Sequence, residues 1–135
     1  MLNKLENKEL KMLLEEYDNC WYKKDIEKMK EFYSSNNNEL IYFDNHINND
    51  TFSVNEHLEL VNHFFQNGKN TESGAVEEII KEKENYFITD KAACICFYAR
   101  YKSFPKPAVR STMYLEKYKN NWIIKHVHCS FEPEK

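Results

Sequence analysis

The C-terminal half of the chain constrains the fold most. Residues 75–84, 92–103, 108–119 and 122–131 are rich in Val, Ile, Tyr, Phe, Thr and Cys. Turn-forming residues separate them: Asp90-Lys91, Pro105-Lys106-Pro107 and Lys119-Asn120-Asn121. Parallel pairing needs a crossover of about a dozen residues or more, so connections this short dictate antiparallel neighbours and a meander. Strict alternation sorts the last three strands into two faces. Ala93, Ile95, Phe97, Ala99 and Tyr101, then Val109, Met113 and Leu115, then Ile123, Val127 and Cys129 form an apolar face expected to meet helices. The opposite face carries Tyr98, Arg100, Tyr114, Trp122, Ile124, His126 and His128, which is too aromatic for an ordinary wet surface and predicts a partner sheet.

Helices come first in the chain. Leu10, Leu13, Leu14, Tyr17 and Trp21 recur on one stripe of a helix predicted from about residue 5 to Lys24. Asp25 reads as the N-cap of a shorter helix whose apolar side is Ile26, Met29, Phe32 and Tyr33, ended by Asn36-Asn37-Asn38. A short strand is expected at residues 39–43. Ser53-Val54-Asn55-Glu56 fits a capping box and opens a third helix bearing Val54, His57, Leu58, Val61, Phe64 and Phe65 on one side, with Gly68 as its stop. The expectation is an α+β chain, three N-terminal helices packed on an antiparallel sheet, forming a single domain over residues 1–135.

Composition narrows the function classes. Aromatic residues make up 15% of the 135, enough large side chains for a core. The formal net charge of -3 offers no basic field for nucleic acid. No run reaches membrane-spanning length and no secretory h-region opens the chain, so a cytoplasmic protein is expected. Cys20, Cys94, Cys96 and Cys129 lie within apolar-patterned segments and read as reduced thiols.

The ending is the most specific piece. Asp90-Lys91-Ala92-Ala93-Cys94-Ile95 introduces one strand, and Trp122-x-x-x-His126-x-His128-x-Ser130 closes the sheet. With Tyr17 and the Lys24-Asp25-Ile26 helix break, these residues resemble the nuclear-transport-factor-2-like superfamily, which includes SnoaL-like proteins, ketosteroid isomerases and the association domain of calcium/calmodulin-dependent kinase II. The resemblance implies a cone, helices closing the concave side of a strongly curved sheet around a pocket, and a dimer formed through sheets. It places Trp21, Phe65, Phe97, Ala99, Met113, Lys125, Val127 and Cys129 around that pocket. The interface then falls to Tyr98, Arg100, Tyr114, Trp122, Ile124, His126 and His128.

Tyr17 and Asp44 fall where the isomerase branch has an oxyanion-stabilising tyrosine and a proton-transferring aspartate, and His57 matches a histidine lining the kinase domain's pocket. The branch's second oxyanion acid matches Met113, whose thioether donates nothing, and the kinase domain's pocket arginines match Ala99, Met113 and Cys129. On pattern alone, Tyr17 is also one more core residue, and Asp44 is also a turn former beside Asn45. Lys125 is the cation that alternation sends inward, toward an anionic ligand or Asp44 unless the strand curls and exposes its tip. The two histidines have metal-ligand spacing, but Cys94-x-Cys96 lies two strands away, about 10 Å, too far to share a zinc; no metal or cofactor is expected. Two readings stay open. One is a SnoaL-like domain holding a small organic molecule, with Asp44, Tyr17 and His57 as an acid-base trio for cofactor-free isomerisation or dehydration. The other is a non-catalytic oligomerisation or sensor module.

Overall fold

The computed structural model describes residues 4–44, 49–67, 79–102 and 105–133. Three helices precede or interrupt the strands: α1 (Lys4–Lys23), α2 (Ile26–Met29), which runs on into a 3₁₀ turn at Lys30–Phe32, and α3 (Val54–Asn67). The strands are β1 (Ile41–Phe43), β2 (Ile79–Ile88), β3 (Ala92–Tyr101), β4 (Val109–Tyr118) and β5 (Asn121–Phe131), in the order β1-β5-β4-β3-β2. The second strand is described from Ile79 and runs on to Ile88, past its expected end at Glu84; the residues expected to start it, as well as Gly68, lie outside the described residues. Helices cover one face of the sheet, and the result is an α+β cone.

Local chemistry sets the helix ends. α1 ends in a Schellman motif: Lys24 takes φ 56, its amide donates to the Trp21 carbonyl at 3.3 Å, and the Asp25 amide donates to Cys20 at 2.8 Å. Asp25 then caps α2, accepting from the Lys28 amide at 3.1 Å. The Ser53 hydroxyl accepts from the Glu56 amide at 3.1 Å, as a capping box requires, while the Glu56 carboxylate returns to that hydroxyl at 3.3 Å. Asn37 adds a cap from a distance, its side chain accepting from the Asn55 amide at 2.8 Å. The asparagine run thus helps start α3, whereas the preceding helical turn has already ended at Phe32, before the run.

β2 to β5 form the expected antiparallel meander, closed at Lys119-Asn120 by a two-residue turn with φ 49 and 66. β1 corrects the all-antiparallel expectation, because it pairs parallel with β5 and makes the sheet mixed. Its direction is free of hairpin constraint, since α3 lies between it and the next strand.

A second correction concerns β5. Tyr114 pairs with His126 but Leu115 pairs with Ile124, so Lys125 is an extra residue and the alternation flips there. Trp122 and Ile124, expected on the outer face, therefore point into the core at 5% and 0% exposure. Lys125, expected inward, pairs with Glu39 at 2.9 Å and Glu116 at 3.4 Å. β2 has a similar irregularity between Glu82 and Asn85, where Lys83 takes φ 54. Between these corrections the closed end of the cone is filled: Leu10, Leu14, Ile88, Ala93, Leu115 and Ile124 are all buried. No helix among the described residues is long and apolar enough to cross a membrane.

Candidate functional site

A chain of polar groups runs through the apolar interior from α1 to α3. The Tyr17 hydroxyl meets that of Tyr33 at 2.5 Å, and the Tyr33 hydroxyl meets His57 Nε2 at 3.0 Å. All three side chains are buried, His57 at 2% exposure. Tyr33 reaches this place because the chain leaves the 3₁₀ turn at φ -110, ψ 163 and drops its ring beneath α3, edge-on to both partners. Burial raises the ionisation of Tyr17 and Tyr33 far above the ordinary phenol value and lowers His57 to about 4. At neutral pH every member is uncharged.

Counting hydrogens fixes the direction of the chain. A neutral imidazole has one donor and one acceptor nitrogen, and each phenol has one hydrogen to place. If Tyr17 donates to Tyr33 and Tyr33 donates to Nε2, both phenolic hydrogens have acceptors. The reverse direction leaves the Tyr17 hydrogen without one, so the first arrangement wins. The His57 proton then sits on Nδ1, and Nδ1 is buried with no hydrogen-bond partner. This chain of groups ends on an unmet donor, and Trp122 Nε1 is a second buried donor without a partner among the described residues.

The surroundings of His57 Nδ1 are mixed. Tyr42 stacks on the His57 ring, centroids 4.2 Å apart at 19°. The Tyr42 hydroxyl bonds the Cys129 thiol, which also meets the Ser111 hydroxyl at 3.7 Å. Burial pushes both the Tyr42 phenol and the Cys129 thiol up, which makes Cys129 a poor nucleophile. Asp44 is half-buried at the end of β1, accepts from the Asn49 side chain at 3.3 Å, and is near enough for its charge to raise both groups. Trp21 and Phe65 pack edge to face at 5.6 Å above this region. Below them Phe97, Ser111 and Cys129 form one row across the sheet, next to Ala99, and Met113 and Val127 lie in the neighbouring row with Tyr42.

Tyr17, His57, Trp21, Phe65, Phe97, Ala99, Met113, Val127 and Cys129 thus share one region, with Asp44 at its border, whereas Lys125 lies outside it. Sequence reading passed over Tyr33, Tyr42 and Ser111. Tyr42 carried a usable signal, since it lies two residues before Asp44 on the same side of an extended segment. Tyr33 reads as part of the apolar side of the second helix, and only the departure from helical geometry brings its hydroxyl between Tyr17 and His57.

The outer face differs in kind. Phe87, Cys94, Tyr114, His126 and Ile41 make one continuous cross-strand row, and Phe87 is 65% exposed. His126 Nδ1 donates to the Ile41 carbonyl at 2.8 Å, and Phe43 packs against His126 and His128. Tyr98 shares this face with Arg100, which pairs with Glu82 at 2.7 Å and Glu132 at 3.0 Å. Among the described residues no three His, Cys, Asp or Glu side chains come together as a metal site.

No family model matches the sequence, and no curated protein matches it. Solved structures do. An NTF2-like protein of unknown function from Pseudomonas putida superposes with a TM-score of 0.81 at 12% identity, covering 99% of this chain and 92% of that one. An NTF-2-like protein of unknown function from Shewanella oneidensis gives 0.69 at 18% identity, covering 92% and 98%. The association domain of C. elegans calcium/calmodulin-dependent kinase II gives 0.68 at 14% identity, covering 94% and 96%. The chain has the NTF2-like fold.

Proposed function

We propose that the chain is a small-molecule-binding domain of the SnoaL-like kind, and that the unpartnered His57 Nδ1–H is the donor that holds its ligand. The observation that carries this reading is one orphan donor at the end of an otherwise satisfied buried chain. An unmet buried donor costs about 1–3 kcal/mol, and an acceptor oxygen supplied by a ligand recovers that cost. The ligand is therefore an organic molecule with an apolar body, matching Trp21, Phe65, Phe97 and Met113, and a carbonyl or similar oxygen. No cofactor is called for.

If the bound molecule reacts, the chemistry is proton transfer next to that carbonyl. Asp44 takes a proton from the adjacent carbon, the developing enolate oxygen draws on His57 Nδ1–H, and the proton returns to a different carbon. Tyr17 acts at one remove, holding Tyr33 and through it the tautomer of His57. The test is calorimetric titration with aryl ketones alongside deuterium exchange at the carbons next to the carbonyl. His57→Phe should lose binding about tenfold or more, the equivalent of about 1.4 kcal/mol. Asp44→Asn should retain binding and abolish exchange. A His57→Phe variant that binds ketones as well as the parent would contradict the reading.

A second reading has its own support. The outer face exposes a contiguous aromatic and aliphatic row, and the C. elegans neighbour is an association domain. We assign self-association to this face through Tyr98, Arg100, Tyr114, His126 and His128. Trp122 and Ile124 drop out of that set because they are core. Sedimentation should give a dimer or a larger species that Tyr114→Glu dissociates, and a monomeric parent protein would contradict it.

A further inference from the structure

On the half of the inner face that carries the polar cluster, one cation stands among the described residues of the sheet: Lys81 on β2, directly paired with Ala99. Its inward aim depends on the β2 bulge. Lys81 and Tyr86 differ in parity, yet both lie on the inner face, because one extra residue intervenes with Lys83 at φ 54. That conformation costs of order 1 kcal/mol for a residue with a Cβ. Without it, alternation from Tyr86 and Ile88 would turn Lys81 to the outside.

Lys81 is also half-buried, with 14% of its side chain exposed. Its ammonium lies 4.6 Å from the centre of the Phe97 ring, on the wall of the candidate pocket, and 2.6 Å from Asp18 Oδ2 on α1. Asp18 follows Tyr17 in sequence and is itself 20% exposed. Burial raises the Asp18 carboxyl above its ordinary value despite the lysine, so desolvation outweighs the attraction and the pair is incompletely compensated. Glu84 and Glu15 bear on Asp18 as well, which disfavours a doubly charged phosphate and leaves room for one negative charge.

Resting on the reading of the cone as a small-molecule site, we propose that Lys81 is its anion-recognising residue, that Asp18 is a displaceable internal counter-ion, and that the ligand is a small monocarboxylic oxo acid. The carboxylate binds Lys81, the apolar body lies along Phe97, and the oxo group reaches His57 Nδ1.

The experiment uses a paired panel of phenyl-substituted oxo acids and their primary amides, 4-oxo-4-phenylbutanoate among them, titrated calorimetrically into the full chain. The parent protein should bind acids at least about tenfold tighter than amides, a modest requirement for a desolvated ion pair. Lys81→Met should abolish the difference while leaving amide affinity within about twofold, Lys81→Arg should keep part of it if the Met variant misfolds, and Asp18→Asn should tighten the acids alone. If the parent binds acids and amides equally, or Lys81→Met keeps the preference, the anion subsite falls and the pocket stands. If no member of the panel binds, the pocket falls and takes the subsite with it.

Discussion

The two ends of the cone are built from the same strands and differ in almost every physical respect. At the closed end, Ile88, Ala93, Leu115 and Ile124 share one apolar core with Leu10 and Leu14. Toward the open end, the same inner face carries Lys81, Ser111, Tyr42 and Cys129, opposite Tyr17, Asp18 and His57. Two strands change character across a bulge, β5 at Lys125 and β2 at Lys83, whereas β4 passes from Leu115 to Ser111 in unbroken alternation. A bulge lets one strand present Ile124 on one side of it and Val127 and Cys129 on the other to the same inner face, although their sequence parity differs. One end of the cone is optimised for stability, and the other accumulates groups that cost stability to bury, the pattern expected where a fold hosts a site.

The largest effect should come from deleting Lys125. Removing that residue forces β5 to choose between burying Trp122 and Ile124 or burying Val127 and Cys129, and either choice turns large apolar side chains to water. The variant should fail to fold by circular dichroism, whereas Lys125→Ala, which loses only exposed ion pairs, should melt close to the parent. Leu115→Ala at the closed end should cost about 2–5 kcal/mol in urea unfolding, against less than about 1 kcal/mol for Ser111→Ala near the open end.

The acid limb of stability should report on His57. Its folded value of about 4 lies below the ordinary 6.5, so the unfolded chain binds the proton first. Stability from the neutral ring is full above pH 6.5 and declines as pH falls from 6.5 through 4, by at most about 3 kcal/mol. His57→Phe should flatten that segment of the pH profile. Tyr33→Phe removes the link between Tyr17 and His57 and should cost about 1 kcal/mol.

The meander, the capped helices and the membership of Tyr17, Trp21 and His57 on inward helical faces were legible because they follow from periodicity and short-range chemistry. The bulges were not, since a single inserted residue leaves no compositional mark, and both errors on β5 follow from that one blind spot. Lys81 and Asp18 were missed for the same reason: on β2 the inward set depends on a register change at Lys83, and Asp18 looks solvent-facing until β2 is laid against it. Asp44, which follows the first strand, is near enough to Tyr42 and Cys129 for its charge to act on both.

The central claim is that a neutral His57 holds its proton on Nδ1, accepts from Tyr33 at Nε2, and offers the remaining donor to a ligand. Nitrogen-15 NMR of the imidazole reads this directly. The account predicts a protonated Nδ1, a hydrogen-bond-accepting Nε2, titration near pH 4, and a shift at Nδ1–H when an oxo-carboxylate is added. A proton found on Nε2, or an ordinary titration near pH 6.5 with no response at Nδ1, would contradict it.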